Sequence, residues 1–219
     1  MEIRNLSETP SLLNSFISEI RDLEIQKDSM RFRRNIERIG EVLGFELSKS
    51  LSFSKLTTQT PLGSLESEVI NDDIVICSIL RAGLPLHVGL LNYFDKAENA
   101  FISAYRHHNC ESGAFEIKVE YLACPDLSGK TLLLVDPMLA TGQSIISTLK
   151  ALKPFGQPKE THLVSVIGAQ QGVDYVSKNV DDTVKLWIAT IDKELNERGY
   201  IVPGLGDAGD LSFGQKLQN

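Results

Sequence analysis

The chain is poor in what would mark several common classes of protein. It has three cysteines, Cys77, Cys110 and Cys124, an odd number without CxxC spacing. That argues against a disulfide framework and against a zinc site, and leaves reduced core or surface thiols. Basic residues are in the minority, 22 Lys and Arg against 29 Asp and Glu. The formal charge of −7 supplies no general basic footprint for DNA or RNA, so no nucleic-acid partner is expected and an anionic substrate must find a local positive field. No stretch approaches membrane-spanning length, and Met1-Glu-Ile-Arg-Asn-Leu-Ser-Glu8 lacks an apolar run after a basic end. The expectation is a cytoplasmic protein with no membrane partner. Internal repeats, low-complexity tracts and Gly/Ser linkers are also missing, so a second independent domain is not indicated.

What is present is 219 residues, 42% hydrophobic and 23% charged, the profile of a globular domain long enough to bury a continuous core. One stretch organises it. Thr131-Leu-Leu-Leu-Val135 reads as a buried parallel strand, and Ile145, Ile146, Leu149 and Leu152 recur at helical spacing. Between them lies the loop 136–144. Thr141, Gly142 and Ser144 can aim backbone N–H groups and hydroxyls at one point, which suits a phosphate. Ser144 is a candidate helix cap and Asp136 a carboxylate placed for a ribose diol. An ordinary strand-to-helix turn with a capping serine is the competing reading.

The rest of the chain alternates strands and helices. Thr9-Pro10 opens a helix with the stripe Leu12, Leu13, Phe16, Ile17 and Ile20, with proline in its first turn. Ser29 is a candidate cap for a second, with Phe32, Ile36, Ile39 and Leu43 inward and Arg31, Arg33 and Arg34 as a solvated face, an anion site or a subunit contact, the first preferred. From Leu51 to Ser67 two short strands turn at Pro61-Leu-Gly63, a small antiparallel unit. Asp73-Ile-Val-Ile-Cys-Ser-Ile-Leu80 is a buried strand ending at Arg81-Ala-Gly83, where open α/β sheets bind ligands. Arg81 can alternatively pair with a surface carboxylate. A third strand, residues 100–105, ends in Arg106-His107-His108. These histidines lack a third ligand nearby and carry no metal assignment. Residues 115–121 alternate as a half-buried returning strand, and residues 161–167 and 183–190 are further strands around a short helix at 170–178. His162 and Trp187 read as packing residues. The predicted fold is α/β, a doubly wound mostly parallel sheet with helices on both faces. Residues 1–70 form N-terminal helices and the antiparallel unit, 71–190 the core sheet and 191–219 the tail. Arg198-Gly-Tyr-Ile-Val-Pro-Gly-Leu-Gly-Asp-Ala-Gly-Asp210 is too glycine-rich for a regular helix or strand, and reads as an ordered loop because Tyr200, Ile201, Val202, Leu205 and Phe213 would be wasted on solvent.

Val135-Asp-Pro-Met-Leu-Ala-Thr-Gly-Gln-Ser144 resembles the phosphoribosyl pyrophosphate loop of the uracil phosphoribosyltransferases, a branch of the type I phosphoribosyltransferases. Gln143 stands where that family has a second glycine, and phosphate affinity is the property this departure touches. Ile79-Leu-Arg-Ala-Gly83 resembles the family's pyrophosphate loop, Tyr105-Arg106 the start of its mobile flap, and Tyr200 to Asp210 its uracil-binding hood. His107 to Ser112 depart from the family's usual continuation of the flap. The resemblance implies that Arg81, Arg106, Asp136, Pro137, Met138, Leu139, Ala140, Thr141, Gly142, Gln143, Ser144 and Asp207 bind phosphoribosyl pyrophosphate. It implies that Tyr200, Ile201, Gly206, Asp207 and Ala208 bind uracil, with Arg106 and Asp207 catalytic. It further implies conversion of uracil to UMP in pyrimidine salvage, Mg²⁺ carried by the sugar diphosphate, a homo-oligomer (dimer or tetramer) and, in some members, activation by GTP. The alternative is a catalytically impaired or regulatory pyrimidine- or nucleotide-binding relative of the same fold.

Overall fold

The computed structural model describes residues 1–108 and 115–217, excepting the side chains of 104–108 and 115–120. The elements in order are β1 (Glu2–Asn5), α1 (Leu12–Arg21), α2 (Ser29–Ser48), β2 (Phe53–Thr60), β3 (Gly63–Ile70), β4 (Ile74–Leu80) and α3 (Gly83–Leu91). Then come β5 (Glu98–His108), β6 (Phe115–Ala123), β7 (Thr131–Val135), β8 (Met138–Leu139), α4 (Gln143–Leu152), β9 (Glu160–Ala169), α5 (Gln170–Asn179) and β10 (Lys185–Asp192). The tail holds β11 (Glu194–Leu195), β12 (Ile201–Val202) and α6 (Ala208–Phe213).

Among the described residues the main sheet runs β1-β10-β9-β7-β4-β5-β6, with β8 beside β9. Its pairs are parallel except β5 with β6. The continuous apolar runs of β4 and β7 follow from burial on both faces. Ile76, Leu133 and Val135 pack with α1, α2 and α3, whereas Val75, Cys77, Leu132 and Leu134 pack with α4 and α5. Phe32, Ile36, Ile39, Leu43 and Leu47 of α2 are all buried, each worth about 1.5–3 kcal/mol in transfer free energy.

The helix starts differ from the sequence reading. Ser11, not Pro10, begins α1: its hydroxyl accepts from Leu13 N–H while the Asn14 side chain accepts from Ser11 N–H. Asp28, not Ser29, caps α2 by accepting from Met30 and Arg31 N–H, since a carboxylate also suits the positive end of the helix dipole. The edge strand β1 carries no long apolar run and was not expected. β2 and β3 form a hairpin of their own, paired Phe53 with Ile70 through Thr60 with Gly63. It exposes Leu56, Leu62 and Leu65.

His162 and Trp187 are buried in the sheet: Trp187 Nε1 donates to His162 Nδ1 at 3.0 Å, and His162 Nε2 donates to Glu160 Oε2 at 3.2 Å. Burial pushes the His162 pKa below 6.5 against the opposing pull of Glu160. His87 is lowered in the same way, burial outweighing its bond to Asn99. Both rings are therefore neutral in the fold, whereas an unfolded chain protonates them near 6.5. Below that pH the unfolded state binds more protons, so stability contributed by these rings is complete above pH 6.5 and lost as the pH falls through the folded pKa values. Thermal midpoints are expected to hold from pH 8 to about 7 and to decline below about 6.5. A flat profile down to about pH 5 would contradict this.

Candidate active site

The site is built at the carboxyl ends of β4, β7 and β9. After Val135 the chain stays tied to β9: Asp136 N–H donates to Val164 O, and Val166 and Ile167 N–H donate to Pro137 O. Met138 and Leu139 add β8 beside Ile167 and Gly168, so part of the expected loop is a short strand. Asp136 is buried, and its Oδ1 accepts from Met138 N–H at 3.1 Å. Gly142 then turns the chain with φ +76°, and α4 starts at Gln143 with no side-chain cap. Ser144 is thus the second residue of the helix and not its cap. A concavity of about 30 Å³ is lined by Asp136, Ala140, Thr141, Gly142 and Ser144 among others. At the start of this ten-residue helix Gln143 N–H donates to Thr141 Oγ1 at 3.5 Å, and the remaining first-turn N–H groups and the positive dipole end suit a phosphate.

Gln143 demands no unusual backbone angle. The left-handed backbone angle falls on Gly142, and no described non-glycine residue has positive φ; the Gln143 side chain is exposed. The loop has a further support that the sequence reading missed. A Cβ on Gly172 in α5 would stand 2.0 Å from the Ala140 carbonyl oxygen. Helix α5 therefore lies directly against the loop. The available signal was a glycine inside a helical pattern.

Arg81 follows the last residue of β4 beside the phosphate loop, because Ser78 of β4 registers with Val135 of β7. His87 braces this strand, its Nδ1 accepting from Ser78 Oγ and its Nε2 donating to Asn99 Oδ1, both at 2.7 Å. Arg81 donates to Asp210 Oδ1 at 2.9 Å and to Gly214 O at 3.2 Å. The carboxylate partner that the sequence left open is thus part of the tail.

The tail is more regular than its glycines suggested. β12 pairs with β11, and Ala208–Phe213 form α6, capped by Asp207, whose Oδ1 accepts from Asp210 N–H at 2.9 Å. Lys216 Nζ donates to Asp207 Oδ2 at 2.8 Å. Burial alone would raise the Asp207 pKa, but Lys216 and the Asp210 N–H hold it below the usual carboxylate value. Asp207 is accordingly ionised at neutral pH. Behind the turn, Arg21 makes a bidentate pair with Asp192 at 2.7 and 2.8 Å and reaches Gly204 O, while Gly204 N–H donates to Asp192 Oδ2. Arg33 is half-buried rather than fully solvated: it donates to Ser212 O at 2.6 Å and lies over the Phe213 ring. Arg31 and Arg34 pair with Glu19 and Glu37 at the surface.

Ile201 and Ala208 are buried, and with Leu205 they join the apolar cluster that also touches Ala82, Met138 and Ala140. The hood, the Arg81 loop and the phosphate loop therefore share one core. Ile201, Gly206 and Ala208 are left with backbone groups to offer a ligand, while Tyr200 is 46% exposed. The backbone of Tyr105, Arg106, His107 and His108 belongs to β5; their side chains, and Cys110, lie outside the described residues. Among the described residues no group of three or more His, Cys, Asp and Glu could hold a metal. No helix among them is long and apolar enough to cross a membrane.

A protein-family model described as uracil phosphoribosyltransferase matches residues 7–215. A uracil phosphoribosyltransferase of Porphyromonas gingivalis is 52% identical over 217 residues, 99% of this chain and all of that one. One of Pyrococcus furiosus is 33% identical, with 99% and 91% covered. A solved protein of Aquifex aeolicus superimposes with a TM-score of 0.86 at 27% identity, covering 99% of this chain and 100% of that one. With the phosphate cradle, the adjacent arginine loop and the closing hood in one place, the chain belongs to the uracil phosphoribosyltransferase family.

Proposed function

We propose that the chain converts uracil and 5-phospho-α-D-ribose 1-diphosphate to UMP and diphosphate. The observation that carries this is the tie between hood and Arg81 loop, Arg81 donating to Asp210 and Gly214 O, with the hood and the phosphate loop bordering one apolar cluster. Residues 136–144 hold the 5′-phosphate and ribose hydroxyls, which fixes the sugar for attack. Arg81, with Arg106, neutralises the departing diphosphate. The C1′–oxygen bond to diphosphate breaks, the uracil N1–C1′ bond forms and the N1 proton passes to solvent water. The ionised Asp207 offers an acceptor for substrate hydrogen bonds. Backbone groups of Ile201, Gly206 and Ala208 read the imide edge, and cytosine reverses that donor pattern, leaving buried groups unpaired.

Mg²⁺ would be held chiefly by the substrate diphosphate, with the carboxylate of Asp207 a candidate for its coordination shell. Bound there, Mg²⁺ would neutralise charge on the leaving group. Activation by GTP rests on the family likeness alone. A homo-oligomer is supported by the exposed β2–β3 hairpin, since an isolated two-stranded hairpin is marginal in water. A reducing, cytoplasmic setting is supported by the free thiols Cys77 and Cys124.

The test is UMP formation from uracil or cytosine with Mg²⁺, with and without GTP, on a preparation whose mass is read by light scattering. Turnover on uracil alone is expected. Gln143→Gly should change kcat/KM by no more than roughly twofold, as an exposed side chain does. A silent native chain with a recovered variant would instead establish the impaired relative.

A further inference from the structure

The four charged groups beside the hood are arranged as an alternating set. Arg81 Nη2 donates to Asp210 Oδ1 at 2.9 Å, and Lys216 Nζ stands 3.6 Å from the same oxygen while donating to Asp207 Oδ2. Two cations thus converge on one carboxylate oxygen. That is the spacing at which a single dianionic or polyanionic group can replace the carboxylate and contact both. The carrier of Lys216 is positioned by the same arginine, since Arg81 also donates to Gly214 O in the segment leading out of α6. Arg33 holds the other side of that segment through Ser212 O. Lys216 is 37% exposed at its side chain, and Arg81 41%, so a ligand can reach both. A lysine serving only to tie down the tail would need no second cation across the carboxylate.

We propose that Lys216 is a diphosphate-binding residue, acting as a pair with Arg81. In the free chain Asp210 and Asp207 occupy the two cations; the diphosphate of the sugar substrate, more highly charged than either carboxylate, displaces them. Release of Lys216 also frees Asp207 Oδ2 for the substrate. This rests on the phosphoribosyl-transfer reading above, and deepens it by adding a cation from the carboxyl-terminal segment.

The test compares the native full-length chain with Lys216→Ala and Lys216→Arg. Readouts are KM for the sugar diphosphate, KM for uracil, calorimetric affinity for inorganic diphosphate with Mg²⁺, and the thermal midpoint. Lys216→Ala is expected to weaken sugar diphosphate and diphosphate by about tenfold, as loss of a charge-assisted bond does, with uracil KM and midpoint nearly unchanged. Lys216→Arg should retain most of the affinity. Unaltered diphosphate affinity in Lys216→Ala would overturn the proposal, as would a loss that affects uracil equally and tracks a lowered midpoint. If the native chain made no UMP, the transfer reading would fail, yet the calorimetric comparison would still decide the role of Lys216.

Discussion

Gly172→Ala is expected to lower kcat/KM for the sugar diphosphate by about 100-fold or more, although the change adds one methyl group in a helix where alanine is intrinsically favoured. The reason is the Ala140 carbonyl. A Cβ at 172 would lie 2.0 Å from its oxygen and 2.8 Å from its carbon, so backbone must move against backbone. Helix α5 is anchored by the buried Val173 and Val176, and the yielding partner is the phosphate loop. A displacement of about 1 Å there carries a cost of order 100-fold, because the cradle works by placing N–H groups within hydrogen-bond range of a fixed anion. Overpacking should also cost about 1–3 kcal/mol of stability. Steady-state kinetics with the sugar diphosphate varied would check the first effect and denaturant unfolding the second. Native KM and kcat in the variant would show that the loop does not depend on this contact.

Arg21→Ala should cost roughly 2–4 kcal/mol of stability, somewhat under the range for a fully buried pair because the guanidinium is 22% exposed. Asp192 is only 8% exposed. Burial alone would raise its pKa, and Arg21 with the Gly204 N–H now holds it below the usual value. Without the arginine a buried carboxylate loses its cation, and Gly204 O loses its donor. Gly204 lies two residues before Gly206, so uracil KM is expected to rise more than the KM of the sugar diphosphate. Lysine at 21 should rescue only partly, because one ammonium cannot reproduce a bidentate fork plus a carbonyl contact. Equal stability of Arg21→Ala and the native chain in urea would refute the assignment. The sign with pH is fixed: stability from the lowered Asp192 pKa is present above about 3.8 and lost as the pH falls through the folded value.

The contrast between these two residues and the motifs marks where sequence reading stops. Strands such as β4 and β7 were legible because burial on both faces demands an unbroken apolar run, and that demand is written in consecutive residues. The hairpin turn at Pro61 to Gly63 and the helix after the central strand were legible for the same local reason. Element ends were less so. Asp28 and Ser29 are both good caps by type, and only the backbone path selects one. The six residues of α6 were not legible because Gly206 precedes and Gly209 lies within a helix that depends on Asp207 as its cap and on Arg33 from α2.

By itself, then, the sequence determined the alternation of strand and helix, the order of the site segments and the family they resemble, since each is a property of neighbouring residues. Tertiary structure alone decided that Arg81 meets Asp210 across 129 residues, that Arg21 meets Asp192 across 171, and that Gly172 makes room for the phosphate loop. A charge or a missing side chain carries no mark of its distant partner; the partner is chosen by how the layers pack, and the strength of the contact by the burial that packing creates.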